Sequence, residues 1–489
     1  MSLRPTFLSK CSTITLLTFG LSFSAPADAG RGDREAAAFA AVPQSFAGDA
    51  TAGAVSSAVW WESFGVTELN EIVAEGVVAN PDLLTAQRQL DQARYLALSG
   101  LAPLLPSVSL NASLNGQPAE AQTFFFDFPG EAPTGNVWTG NAGVSVAWGL
   151  DIWGANLLNF LSSQKNALAT AANTDAQRLT ISTSVANAWF DVVFHQARVQ
   201  AIEKQVTVSE TFLELTELRY ERGESTALDV LQQRQQVQST RALLPQSRSL
   251  LRIADMQLAV LLGRSPDAAP TVLASVLPEL PPAPAVGTPD DLLSRAPSVL
   301  AASAQLESAE LARRAAVRAT LPKLSLNYAY GPQYRYTADG LLWNDFDEDG
   351  SIGSFWSGGA QVSWAVFNGG SAYNTYRAAV AQADAARHAL ESTALGAMRQ
   401  VESALMLEGE RAIQREAVSA QLEAARTASG MARERYQTGQ TNFLPVLSAQ
   451  QTLLQAELSA LQAHRDQIDA RIQLYAALGA ATSSQGSAQ

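Results

Sequence analysis

Tyr220 and Tyr436 stand 216 residues apart, and the same offset joins Gly223 to Gly439, Leu228 to Leu444 and Val230-Leu231 to Val446-Leu447 without a gap. It also joins Pro81 to Pro297, Pro106 to Pro322, Trp148 to Trp364, Gly154 to Gly370 and Gly263 to Gly479. Glycine, proline and tryptophan dominate these matches, so shared helical composition does not explain them. A unit this long is far beyond a solenoid repeat. The chain reads as one domain-sized module written twice.

Each copy has one layout. A helical stretch (80–102; 296–320) ends at Pro106 or Pro322, because proline cannot continue a helix and biases its predecessor away from the helical region. Two segments then alternate small or polar with apolar residues at period two. They are 107–116 and 138–149 in the first copy, 323–336 and 354–367 in the second. A helical stretch of about 67 residues follows (155–221; 371–437), without proline, and spans roughly 100 Å. A turn at Gly223 or Gly439 reverses the chain into a second helix. In copy two that helix carries Leu447, Leu454, Leu461, Ile468 and Tyr475, a seven-residue seam that implies supercoiling against neighbours. Copy one is less regular there: Pro245 interrupts it, and Gln232, Gln233, Gln235, Gln236 and Gln238 form a polar stripe suggestive of a wet face.

The divisions expected are a leader over 1–29, an extended N-terminal segment over 30–65, a first repeat over 66–263 and a Pro-rich connector over 264–290. A second repeat over 291–481 and a disordered tail over 482–489 complete the chain. Arg4 and Lys10 precede the apolar run 11–23, and Ala27-Asp28-Ala29 supplies a small–x–small cleavage pattern, so the leader is an export signal. Cleavage there removes Cys11, the single cysteine; the lipoprotein-like context of that residue is poor, since Lys10 stands where a small residue is wanted. No later run of about 18 apolar residues suggests a membrane helix.

Composition excludes several classes. The net charge of −13 becomes −14 in the mature chain, which disfavours nucleic acid, whose binding needs a Lys/Arg surface. His195, His388 and His464 lack metal-ligand spacing, and no nucleophile motif or phosphate loop is present, so neither an enzyme nor a cofactor is expected. Asp345, Asp347 and Asp349 have the D-x-D-x-D-G spacing of a calcium loop, but the twelfth position is Trp356 where a bidentate Glu belongs, and a solvated acidic loop is the better reading.

Helices of this length cannot bury one face within a compact monomer. Four amphipathic strands cannot close a barrel, and an open sheet edge is not viable in a bilayer. An exported chain with such strands points to the outer membrane of a Gram-negative bacterium, with several chains sharing one barrel.

Trp60-Trp61-Glu62-Ser63-Phe64, Asn80-Pro81-Asp82-Leu83 and Ala147-Trp148-Gly149-Leu150-Asp151-Ile152-Trp153-Gly154 resemble the TolC-type outer-membrane efflux proteins, in the branch that serves resistance–nodulation–division pumps. Tyr220-x-x-Gly223 with Leu228-Asp229-Val230-Leu231, and Tyr436-x-x-Gly439 with Leu444-Pro445-Val446-Leu447, resemble that family's two helix tips. The resemblance covers roughly 60–482. It implies a mostly α fold with a small β part: a homotrimeric α-barrel crossing the periplasm beneath a shared 12-stranded transmembrane β-barrel. It also implies a passive exit duct for small toxic compounds, fed by an inner-membrane pump through a periplasmic adaptor that docks at the tips, with Tyr220, Gly223, Leu228, Tyr436 and Gly439 involved. By the same resemblance the periplasmic aperture falls at Asp229, Leu444 and Ser448, with Ser448 standing where an acidic residue is usual. The alternative for Asp229 is a cap on its helix start. Trp148, Trp153, Trp356 and Trp364 lie at strand ends as interface aromatics or as packing where strands meet helices. Two other functions remain open at this point: the exit duct of a type I protein secretion system, and an exported coiled-coil structural or adhesive protein.

Overall fold

A computed structural model describes residues 59–118, 136–337 and 352–479. The leader, the Asp345–Asp349 motif and the C-terminal tail lie outside the described residues.

A 3-10 helix (Trp60–Phe64) precedes α1 (Thr67–Ala79) and α2 (Pro81–Ser99). After β1 (Ser107–Pro118) and β2 (Asn136–Leu150) come α3 (Ala155–Glu221) and α4 (Ala227–Leu261). The second half holds α5 (Pro289–Arg295), α6 (Pro297–Arg318), β3 (Lys323–Thr337), β4 (Ile352–Ser363), α7 (Ser371–Gln437) and α8 (Phe443–Ala477). Both α3 and α7 have 67 residues, both α4 and α8 have 35, and each pair starts and stops at the 216-residue offset.

The structure differs from the sequence reading at four places. Residues 60–64 are not extended; they form a 3-10 turn because Trp60, Trp61 and Phe64 are all buried. β4 stops at Ser363, short of 367, and Trp364 instead donates its indole N–H to the carbonyl of Thr320. The glutamine stripe of α4 is only half wet: Gln233 and Gln236 are buried, Gln233 donating to the Ser209 carbonyl (2.7 Å) and Gln451 donating to Gln236 (2.7 Å). α4 also runs unbroken through Pro245. Pro445 fits α8 without penalty, because it sits in the first turn, where the missing N–H has no intrahelical partner to lose.

The core lies beside the middle of α3. Trp60, Phe64, Val73, Leu83, Trp189, Phe190, Leu258, Ile468 and Ile472 form one buried cluster, drawn from both copies. Trp60 donates to Ser182 (3.3 Å), and the Phe64 and Phe190 rings lie 5.2 Å apart. Arg465, almost fully buried on α8, pairs with Asp191 on α3 at 2.8 Å, so the copies are joined by charge as well as by apolar contact. Arg465 also donates to the carbonyl and side chain of Asn187 (3.3 and 3.1 Å), so removing Asp191 would leave a buried guanidinium with only neutral acceptors.

The four strands form one antiparallel meander, β1-β2-β3-β4. Val144 pairs with Leu110 on one side and Tyr330 on the other, while Ser145 pairs with Ser109 and Ala329. Apolar residues thus share one face and small or polar residues the other, as the period of two requires. No described helix is long and apolar enough to cross a membrane.

Candidate functional site: the membrane sheet and the helix tips

The sheet exposes a band of large apolar side chains. Val108, Leu110, Leu114, Tyr328, Tyr330, Trp356 and Val362 are all at least half exposed. A water-facing sheet would hide such residues, and so large an apolar face marks contact with lipid or protein. Strands of 12 to 15 residues suffice to cross a hydrocarbon core when tilted.

Two tryptophans fasten this sheet to the helices. The Trp148 indole donates to the Leu104 carbonyl and Trp364 to the Thr320 carbonyl, both at 3.1 Å and both one repeat apart. Trp153 donates to the Pro322 carbonyl at 2.8 Å. These three therefore sit at the junction of strands with helices, each with its polar edge satisfied and its ring partly exposed. Trp356 lies within β4, opposite Tyr330.

At the other end, α3 turns into α4 and α7 into α8 through the same device. Gly223 (φ 75°) and Gly439 (φ 68°) take the left-handed conformation. The N–H of Glu224 bonds to the Arg219 carbonyl and that of Gln440 to the Arg435 carbonyl, both at 2.8 Å. The Gly223 and Gly439 amides bond back to Tyr220 and Tyr436, closing two Schellman turns.

The helices that leave these turns begin differently. Thr226 and Asp229 form a capping box on α4. Oδ2 of Asp229 accepts from the Thr226 amide (2.9 Å), the Thr226 hydroxyl (2.9 Å) and the Ser225 hydroxyl (3.0 Å). Burial pushes this carboxyl up, but the bonds from Thr226 and Ser225 outweigh it and hold it below its ordinary range. Asp229 thus caps its helix, and the Thr226-x-x-Asp229 spacing carried that signal in the sequence. One repeat on, Pro445 replaces Asp229, and α8 starts without a side-chain cap.

Leu228 and Leu444 occupy the second position of α4 and α8, and both are about 60% exposed. Ser448, one turn after Leu444, is exposed too. Tyr436 is buried against Phe212, Phe443 and Val446. Arg219, which the sequence did not single out, lies with its guanidinium 4.6 Å from the Tyr436 ring centroid. It donates to the carbonyls of Tyr436 (2.8 Å) and Gln437 (3.0 Å), at the C-terminal end of α7 where a cation is favoured.

The described residues hold no cluster of three or more potential metal ligands. The model of the outer membrane efflux protein family matches twice, over residues 76–264 and 288–480. The chain belongs to the outer membrane efflux protein family. The pyoverdine export outer membrane protein OpmQ of Pseudomonas aeruginosa is 27% identical over 426 residues, covering 86% of each chain. A probable efflux pump outer membrane protein of Pseudomonas putida, TtgC, is 29% identical over 440 residues, covering 86% of this chain and 84% of its own. The outer-membrane channel OprN superposes with a TM-score of 0.75 at 26% identity, covering 91% of this chain and 96% of its own. The protein is an outer-membrane efflux channel, and members of this family are channels, not enzymes. The duplication seen in the sequence is the family's matched unit, met twice.

Proposed function

We propose that the channel is a homotrimer and the exit duct of a tripartite system. A periplasmic adaptor docks at the tips, and an inner-membrane pump of the resistance–nodulation–division class supplies small toxic compounds. The observation that carries this reading is the four-stranded sheet with its apolar face outward. Its β1 and β4 edges are unpaired among the described residues, and a membrane tolerates no such edge.

The duplication supplies a register for closing the barrel. β2 and β3 join the two copies, with Ser145 opposite Ala329 and Val144 opposite Tyr330. Moving each residue by one repeat puts Gln361 of β4 opposite Ser113 of a second copy, and Ala360 opposite Leu114. Polar then meets polar and apolar meets apolar, whereas a one-residue slip would cross the faces. In a chain also carrying Cys11→Ser, Gln361→Cys with Ser113→Cys is expected to form a disulfide between chains and give linked trimers on a non-reducing gel. Absence of any linked species in membrane extracts would overturn the homotrimer.

At the tips, rings of Asp229, Leu444 and Ser448 form the narrowest part of the pore, and Tyr220, Gly223, Leu228, Tyr436 and Gly439 shape the docking face. Leu444→Ala is then expected to raise single-channel conductance, and Ser448→Asp to raise cation selectivity, because a ring of carboxylates attracts cations. Both quantities unchanged in bilayer recordings would remove these residues from the aperture. Trp148, Trp153 and Trp364, at the junction of strands and helices, mark the membrane boundary, whereas Trp356 belongs to the apolar band of the sheet. Deleting the gene and profiling sensitivity to antibiotics, dyes, bile salts and metals tests the efflux role itself.

A further inference from the structure

The membrane sheet and the chain as a whole carry opposite charge. The chain has a net charge of −13. Its four strands hold two charged residues, Lys323 and Arg335, both basic and both on β3, and no carboxylate. A charged side chain on the lipid face of a membrane sheet is costly, so the side on which Lys323 stands decides what it does.

The register fixes that side. Lys323 pairs with Ser363, Ser325 with Gly149 and Gln361, and Asn327 with Ala147 and Gly359. Residues two apart share a face. Lys323 therefore stands with Ser325 and Asn327, opposite the apolar face of Leu324, Leu326, Tyr328 and Tyr330. That is the side a closed barrel turns inward, and the Lys323 side chain is exposed there. Its neighbours hold the backbone and leave the ammonium uncompensated. Trp153 donates to the carbonyl of Pro322, the residue before it, at 2.8 Å. Asp151 follows Leu150, the partner of Leu324, and is the nearest carboxylate along the register. Its two oxygens accept the amides of Asn156 (3.1 Å) and Leu157 (2.8 Å), at the positive pole of α3, which balances its charge. Lys323 makes no hydrogen bond or ion pair with another described residue. One repeat earlier the same place holds Ser107, so each chain supplies this cation once.

We propose that Lys323 makes the periplasmic mouth of the membrane barrel a site for anions: three ammonium groups, one from each chain, attract small organic anions bearing carboxylate, phosphate or sulfonate groups as they enter the barrel. Rings of lysine or arginine act in this way in anion pores, and low-dielectric walls focus the field into the water between them. The wall beyond the ring offers neutral hydrogen-bonding groups. Ser109 and Ser145 share a hydrogen bond of 2.7 Å, and Asn111 donates to Ser145 at 2.8 Å. The inference rests on the homotrimeric duct proposed above and adds the class of solute that its membrane part favours.

Cysteine modification in the full-length channel reads the potential beside Lys323 directly, whatever the tip contributes to conductance. In a chain carrying Cys11→Ser, Ser325→Cys places a thiol two residues from Lys323 on the same face. Outer-membrane vesicles are treated with a sulfonate-bearing or a trimethylammonium-bearing methanethiosulfonate, and the two rates are compared. The ratio of anionic to cationic rate is expected to fall about threefold to tenfold on Lys323→Gln at low salt, and to stay high with Lys323→Arg. The difference should vanish in about 1 M salt. If the thiol reacts but Lys323→Gln leaves the ratio unchanged, the anion site is wrong and the duct stands. If the thiol reacts with neither reagent while the Gln361→Cys/Ser113→Cys trimer band forms, this face does not line water and the site is again wrong. If no trimer band forms, the duct and the site fall together.

Discussion

Asp229 serves the fold through the start of α4. Its Oδ2 is taken up by the cap of α4, and the hydrogen bonds from Thr226 and Ser225 hold the carboxyl below its ordinary range against the upward push of burial. A carboxyl whose folded pKa is lowered contributes stability that is present above its unfolded pKa and lost as pH falls through the folded one. Asp229→Asn is therefore expected to lower the stability of the tip by about 0.3–1 kcal/mol at neutral pH, the range for an acidic group in a first helical turn. The gap in melting temperature between wild type and variant should close as pH drops below the carboxylate range. A gap that stays constant down to acid pH would show that the cap does not depend on charge. The Thr226-x-x-Asp229 spacing made this role readable in the sequence. Arg219 left no such mark, because a cation near a helix end usually serves its own helix, and only the structure shows it reaching the carbonyls of another.

The long helices α3 and α7 were legible almost to the residue, because glycine marks their ends and no proline lies inside them. Their lateral chemistry was not legible, since it depends on which faces meet. On the α3–α4 hairpin, Arg234, Arg241 and Arg248 pair with Glu217, Glu210 and Glu203 at 2.7, 2.5 and 2.6 Å. The rungs recur every seven residues on both helices, which is the spacing of a supercoiled pair. The corresponding pairs of α7 and α8 are Gln450 with Arg433, Glu457 with Arg426 and His464 with Ser419, so the ladder belongs to one hairpin only. Half-exposed pairs of this kind contribute about 0.2–1 kcal/mol each and weaken with salt. Arg241→Glu is expected to lower the melting temperature by placing like charges together, and adding Glu210→Arg should restore most of the loss. A double variant no more stable than the single one would deny the rung any energetic role.

For the molecule as a whole, the duplication and the alternation of the strands carried most of the argument. The end of β4 was missed because Trp364 continues the apolar pattern while its indole is committed to Thr320. The 3-10 turn at Trp60 was missed because three aromatic residues leave no helical or strand period; their burial against Phe190 and Tyr475 decides their conformation. The paired indole bonds of Trp148 and Trp364 have a mechanical consequence. Each sheet hairpin is pegged to the end of the helical segment before it, at matching points in both copies. Trp153, in the link from β2 to α3, fastens that link to the Pro322 carbonyl before β3, so a torque applied at the α3 tip is taken up along α3 itself. Over 67 residues, roughly 19 helical turns, an overall twist of about 20° asks for only about 1° per turn. The α3 helix acts as a soft torsion rod clamped at one end.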